Sequence, residues 1–266
     1  MLLPVSLLLG AVALALLAPL LLAGGRWQVF RPRLALTLWF SAFWLGLALA
    51  GAAFVGSLIV AVVSATEASP SLITSLLAWG AALLVAAGIG LATGASEPLV
   101  SSYRRSLHTL TPIATSREDR GAFTLVRFDS ATPAAVAVPG RQPEVLVSSA
   151  LESALSTAQL RAVLAHEYAH LRGRHGLLVR LAELNAACLP GFLPAGRDLR
   201  KATVMLVELV ADDVAARQAG AAQLAVALER LAEVSGEVGF LVRAERLRAL
   251  PGADRVGLGL PAPVRI

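Results

Sequence analysis

The sequence predicts a mainly α membrane protein: three amino-terminal transmembrane helices ahead of a cytoplasmic α+β domain with a small β-meander. Three observations predict it. Hydrophobic residues make up 56% of the 266-residue chain and charged residues 15%, against the ~45–50% and ~25% of an ordinary soluble domain. The 23 basic and 18 acidic residues are unevenly divided: Arg26, Arg31, Arg33, Glu67 and Glu97 are the only charges in residues 1–97. The first region reads as long apolar runs, the second as short β-rich segments followed by amphipathic helices. The same composition excludes an intrinsically disordered chain. Cys188, the single cysteine, excludes a disulfide scaffold and any multi-cysteine metal site. The chain is therefore divided into an anchor, residues 1–97, and a soluble domain, residues 98–266.

Three spans are expected in the anchor, over residues 2–23, 34–63 and 72–93. A helix needs about 20 apolar residues to cross a hydrocarbon core, and each run is long enough. The second exceeds an upright span, so it tilts or extends past the lipid. The first lacks the basic start of a signal peptide and outruns its short apolar core. Trp27 beside Arg26 reads as an interfacial anchor. The first loop carries three arginines, the second loop only Glu67, and Arg104 and Arg105 follow the third span. Basic loops stay in the cytoplasm. The expected location is the cell membrane, multi-pass, with the amino terminus outside and everything after residue 97 cytoplasmic.

In the soluble half, Gly121–Phe128, Ala134–Val138 and Glu144–Ser148 are strand candidates separated by Pro, Gly and Asp turns, which predicts the meander. Helices follow. Ser149 with Glu152 and Ser156 with Gln159 both fit capping boxes. The second opens a helix over Thr157–Arg172 that stops near Gly173. Further helices are expected over Leu199–Gln218, ended by Gly220, and Ala221–Val234, with Leu224, Leu228 and Leu231 on one face. Leu177–Pro194 is apolar but interrupted by Pro190, Gly191 and Pro194, and reads as an interfacial element or a groove wall. No fourth full span is expected.

The chemistry lies in His166-Glu167-Tyr168-Ala169-His170, an H-E-x-x-H pattern inside the helix opened by Ser156. Residues i and i+4 share a helix face, so both imidazoles can bind one zinc. Glu167 flanks the metal, where it can take a proton from an activated water. A catalytic zinc needs a third protein ligand and one open position. His175 nearly completes the metzincin pattern H-E-x-x-H-x-x-G-x-x-H, but falls one residue short, and that slip changes where its side chain points. Glu208, in Glu208-Leu209-Val210-Ala211-Asp212, is the other candidate. It sits in an apolar stretch where an unpaired carboxylate is costly. Asp212, one turn later on the same face, can accept a hydrogen bond from a ligand histidine and orient it. Asp213 and His108 read as surface, Tyr168 as packing, and Cys188 as a buried thiol.

Taken together, the three amino-terminal spans, Thr132–Gly140 (TPAAVAVPG), Val163–His175 (VLAHEYAHLRGRH) and Glu208–Asp213 (ELVADD) resemble the BlaR/MecR-type membrane metallopeptidases, which are gluzincins. The resemblance covers about residues 1–220. It implies one zinc per chain held by His166, His170 and Glu208, catalysis by Glu167, a zincin-like fold, and site-specific hydrolysis of a cytoplasmic protein such as a DNA-binding repressor. The penicillin-binding sensor domain of that family is missing here, so its stimulus does not carry over. A second reading is an HtpX-like quality-control protease, whose E-x-x-A-D pattern Glu208–Asp212 also matches. A third is a non-catalytic membrane signal transducer with a structural metal. Expected partners are a protein substrate and the lipid bilayer. The net charge of +5 does not imply nucleic acid, because no stripe interleaves aromatics with the arginines. Thr132–Gly140 or Glu144–Ser148 is expected to offer a sheet edge on which a substrate adds as a strand.

Overall fold

The computed structural model describes residues 2–65, 114–189 and 193–250. The expected third span (72–93), the 97/98 boundary, Arg104, Arg105, His108 and the Pro190-Gly191 break lie outside the described residues. The chain divides into two compact units, Met1–Ser101 with Val179–Leu206, and Ser102–Leu178 with Val207–Ile266.

In the first unit, α1 (Leu2–Leu22) and α3 (Pro32–Ala65) are joined by the short α2 (Trp27–Phe30). The apolar runs become helices because no charge or glycine cluster interrupts them. They pack antiparallel: added Cβ atoms at Gly10, Gly46 and Gly56 would contact Leu49, Leu14 and Pro4. Both helices are long and apolar enough to cross a membrane. At ~1.5 Å per residue, the 34 residues of α3 outreach a ~30 Å core, as the sequence implied. Gln28 satisfies the helix ends: its Nε2 donates to the Leu22 carbonyl at 2.6 Å, and its Oε1 accepts from Trp39 Nε1 at 3.4 Å.

Two helices are shared between the units, α6 (His175–Cys188) and α7 (Pro194–Ala219). The stretch expected to be an interfacial element or groove wall is thus helical as far as Cys188. Its thiol is half-buried rather than buried, because it lies at the last residue of α6. The α7 helix starts earlier than Leu199, with Pro194 at its first position, where a missing N–H costs nothing. A Cβ at Gly196 would lie 2.8 Å from Ala186 Cα, so glycine lets α7 approach α6 there.

The second unit holds a four-stranded sheet: β1 (Ala114–Asp119), β2 (Thr124–Phe128), β3 (Ala135–Val138) and β4 (Glu144–Ser148). The expected strands are present, but their order is β1-β2-β4-β3, which is not a meander. The β4 strand pairs parallel to β2 and antiparallel to β3. Burial explains the exchange. Val145, Leu146, Val147 and Ser148 are all buried, whereas β3 is mostly half-buried, so β4 takes the centre. Alternate residues of β2 and β4 enter two separate apolar clusters, Leu125, Val145 and Val147 on one side and Val126, Phe128 and Leu146 on the other. Ser148 fastens the crossover, accepting from Ala134 N at 2.8 Å and donating its own N–H to Ala134 O.

Ser148 also caps α4 (Ser149–Ala154), its Oγ accepting from Leu151 N. The cap is one residue earlier than the expected Ser149 box, because Ser149 Oγ is engaged by Asp129 and Glu152 pairs with Arg127. Helix α5 (Thr157–Arg172) has the expected bounds, with both halves of the Ser156–Gln159 capping box formed. Its apolar face, Val163 and Leu164 with Leu160 and Leu171, packs into the cluster with Leu125, Val145 and Val147. Helices α8 (Ala221–Ser235) and α9 (Val238–Arg248) complete the unit. Small residues let the helices approach: Ala162 and Ala165 of α5, Ala215 of α7, Ala225 of α8 and Ala244 of α9 share one buried cluster.

Candidate active site

The site grows out of α5. Its capping box fixes the first turn, and the apolar back face fixes its rotation. His166 and His170 therefore emerge together, with Nε2 atoms 3.0 Å apart. Helix α7 brings Glu208 to them: its Oε2 is 3.4 Å from His166 Nε2 and its Oε1 3.4 Å from His170 Nε2. One donor atom from each of the three lies within 4.8 Å of the others. Two imidazole nitrogens and one carboxylate oxygen are a donor set suited to a borderline divalent ion such as zinc, and three protein ligands are the number a catalytic zinc takes. His175 stays out of this group.

One turn along α7, Asp212 is fully buried, and its Oδ1 lies 3.0 Å from His166 Nδ1. Both ring nitrogens of His166 are thus engaged, Nε2 toward the donor group and Nδ1 toward Asp212. Burial opposes the charged form of His166, but hydrogen bonds to Asp212 and Glu208 outweigh it and raise its pKa to about 9. Asp212 is lowered to about 2: burial works against this, and hydrogen bonds from Arg243 and His166 prevail. Glu208 is also lowered to about 2, burial being outweighed by His166, His170 and Arg243. His170 falls to about 4, through burial and the nearby His166.

Glu167 behaves differently. Burial raises its pKa to about 7, and the negative charge of Glu208 adds to this. It accepts a hydrogen bond from the backbone N–H of Ala137 in β3, which works the other way. A carboxyl group that loses its proton near neutrality is matched to taking one from water. Tyr168 faces elsewhere, its ring packed against Phe123 with centroids 5.7 Å apart.

Arg243 of α9 escaped the sequence reading. Its Nη2 and Nε donate to Asp212 Oδ1 and Oδ2 at 2.6 and 2.8 Å. Its Nη1 lies 3.0 Å from Glu208 Oε2. One guanidinium therefore ties together the two carboxylates expected from the sequence. Phe240, Ala244 and Leu247, at i, i+4 and i+7, are the apolar spacing that marks the helix. Nothing local marks the arginine itself. Asp213 is not plain surface either, since it pairs with the buried Arg246 at 2.7 Å.

A family model described as Peptidase family M48 matches residues 104–245. No curated protein and no solved structure matches the chain. The matched stretch contains the β-sheet, the H-E-x-x-H helix, Glu208, Asp212 and Arg243.

Proposed function

We propose, from the premise that this chain belongs to peptidase family M48, that it is a membrane-anchored zinc endopeptidase. It uses Glu167 to cut an extended segment of a cytoplasmic protein. Metallopeptidase activity goes with membership of the family; the metal's identity, the residue roles and the substrate are our reading. The observation that carries it is the convergence of His166, His170 and Glu208 donor atoms within 4.8 Å.

In this reading His166, His170 and Glu208 hold the zinc, and Asp212 orients His166 through Nδ1. Bound there, zinc supplies Lewis-acid polarisation of the scissile carbonyl and of the attacking water. Glu167, as carboxylate, takes the proton of that water and passes it to the departing amide nitrogen, so it ends the cycle unchanged. The Ala137 N–H holds this carboxylate in place beforehand. Substrate adds to the sheet at β3, which is an edge strand and packs along α5. Of the two strands expected to offer an edge, β4 is excluded because it pairs on both sides.

Two apolar helices in the first unit support the membrane anchor, and the three arginines between the first two apolar runs support a cytoplasmic site. The resemblance to BlaR/MecR-type enzymes supports one regulatory substrate, a transcriptional repressor. A second reading, broad quality control of an HtpX-like kind, is favoured by the Glu208–Asp212 spacing and by strand addition, which reads backbone rather than side chains.

Substrate trapping with Glu167→Gln tests both. The purified variant is expected to retain zinc and lose about 10²–10⁴-fold in hydrolysis. Preferential capture of one DNA-binding repressor from cytoplasm supports the regulatory reading, and a broad set of damaged membrane proteins supports quality control. Wild-type hydrolysis rates in the variant would remove Glu167 from the reaction.

A further inference from the structure

Behind His170 lies a residue that neither the motif nor the family match explains. His175 opens α6 five residues further on, and its Nδ1 lies 3.1 Å from His170 Nδ1. The ring is buried, only 4% exposed. It meets His170 edge-on, with centroids 4.8 Å apart and planes at 87°.

The turn between the helices is shaped to bring it there. Gly173 caps α5, and a Cβ at that position would collide with the Nε2 and Cδ2 atoms of His175. Arg174 has φ 49°, and it is the only non-glycine residue with positive φ among those described. That left-handed conformation is disfavoured for a residue with a Cβ. The left-handed turn at Arg174, beside a glycine whose missing Cβ leaves room for the ring, therefore turns one imidazole back onto another.

The chemistry follows from which nitrogen is occupied. His170 directs Nε2 toward His166 and Glu208. A neutral imidazole that offers the Nε2 lone pair carries its proton on Nδ1. Two Nδ1 atoms in contact can share one proton only. With that proton on His170, the Nδ1 of His175 is the acceptor and its own proton sits on Nε2.

We propose that His175 is a positioning residue: it accepts the Nδ1–H of His170 and so holds His170 in the tautomer that presents Nε2 to the metal. The inference rests on the metal-site reading above. It makes the two histidines of the motif a matched pair with unlike supports. Asp212 stands behind His166 at 3.0 Å and is an anion; His175 stands behind His170 and is neutral. Hydrogen-bond partners of this kind fix a ligand's tautomer and ring orientation. The one-residue slip from the metzincin spacing then has a purpose of its own, because it puts the third histidine behind a ligand instead of among the ligands.

The test uses the full chain in detergent with His175→Phe and His175→Asn. Phenylalanine keeps a buried ring and removes the acceptor. Asparagine places Oδ1 near the former Nδ1 and keeps it. Zinc affinity is measured by competition with a chromophoric chelator, and the ligand field by cobalt(II) absorption. The expected result is about 10–100-fold weaker zinc binding and a shifted cobalt band for His175→Phe. His175→Asn should stay within about threefold of wild type, with the wild-type band, because an acceptor remains. Wild-type affinity in His175→Phe overturns the proposal. Equal weakening in both variants also overturns it, since packing would then be the whole role. A wild-type chain that takes up no zinc overturns the metal reading itself, and the proposal with it, and that failure is told apart from the others by the wild-type titration alone.

Discussion

The two units bury opposite kinds of side chain. In α1, Leu2, Leu3, Leu20 and Leu21 are 68–88% exposed, while Gln28, just beyond the helix, is buried. In the second unit, Leu125, Leu151, Leu224 and Leu247 are no more than 1% exposed, yet Asp212 is buried with them. The first unit exposes apolar side chains on helices long and apolar enough to cross a membrane, and in lipid every polar group would need an internal partner. Gln28 and Trp39 supply such partners to each other. The second unit buries its apolar side chains and, among them, charged groups that burial alone would forbid, Asp212 with Arg243 and Arg246 with Asp213. The lesson is that a buried polar group has a different meaning in each. In the first unit it is satisfied by neutral partners; in the second unit it is satisfied by oppositely charged neighbours beside the His166, His170 and Glu208 donor group.

The largest expected effect comes from removing the cation of that cluster. Arg243→Ala leaves Asp212 buried with no guanidinium partner, and breaking a buried pair on one side costs about 3–5 kcal/mol. Denaturant titration should register the loss, and Arg243→Lys should recover only part of it, because lysine lacks the two-pronged fork. An unchanged midpoint would mean that the cluster does not hold the unit together.

The next tests what surrounds the first unit. Leu9 is 64% exposed on α1. If that surface meets lipid, Leu9→Arg should cost about 3 kcal/mol of insertion, read from the fraction of chains that resist carbonate extraction. An exposed site in water would tolerate the change within about 0.5 kcal/mol.

The third concerns the metal. In the metal-free protein His166 keeps its proton up to about pH 9, and an incoming metal must displace it. Affinity should therefore rise roughly tenfold per pH unit from 7 toward that value and then level off. Calorimetry in buffers of different ionisation heat should record the released proton. A flat profile over this range would separate His166 from the metal.

The smallest effect belongs to the polar pair of the first unit. Gln28→Leu strands the Trp39 N–H and the Leu22 carbonyl, and should lower stability in detergent by about 1 kcal/mol.

How much of this was legible in the sequence depends on how local each signal is. The Ser156–Gln159 box and Gly173 lie at the two ends of the helix they bound, and α5 has the bounds they imply. The Glu144–Ser148 strand is likewise matched, since its three central residues, Val145, Leu146 and Val147, are a short apolar run. The sheet order was not legible, because burial of β4 against both β2 and β3 is a tertiary outcome. Strand β1 reads ATSRED and has no apolar alternation; it is held by pairing to β2 and by ion pairs such as Arg117 with Glu144. The donor group was largely legible, because a helix face converts sequence spacing into geometry. Arg243 was not, for it reaches His166 across 77 residues, and α9 begins without a side-chain cap. His175 was visible as a residue, but its direction depended on the positive φ of Arg174, which no spacing rule supplies.

The position of Arg243 on α9 also bears on biosynthesis. During translation, the histidines of α5 leave the ribosome first, then the carboxylates of α7, and the guanidinium that neutralises those carboxylates emerges after all of them. Until then Asp212 has no fork to receive it, and its burial is opposed by its charge. Every residue of the His166, His170 and Glu208 donor group is thus made before the arginine that ties Glu208 to Asp212. The last described helix closes the cluster, so a chain that ends before residue 243 keeps Asp212 without its guanidinium partner.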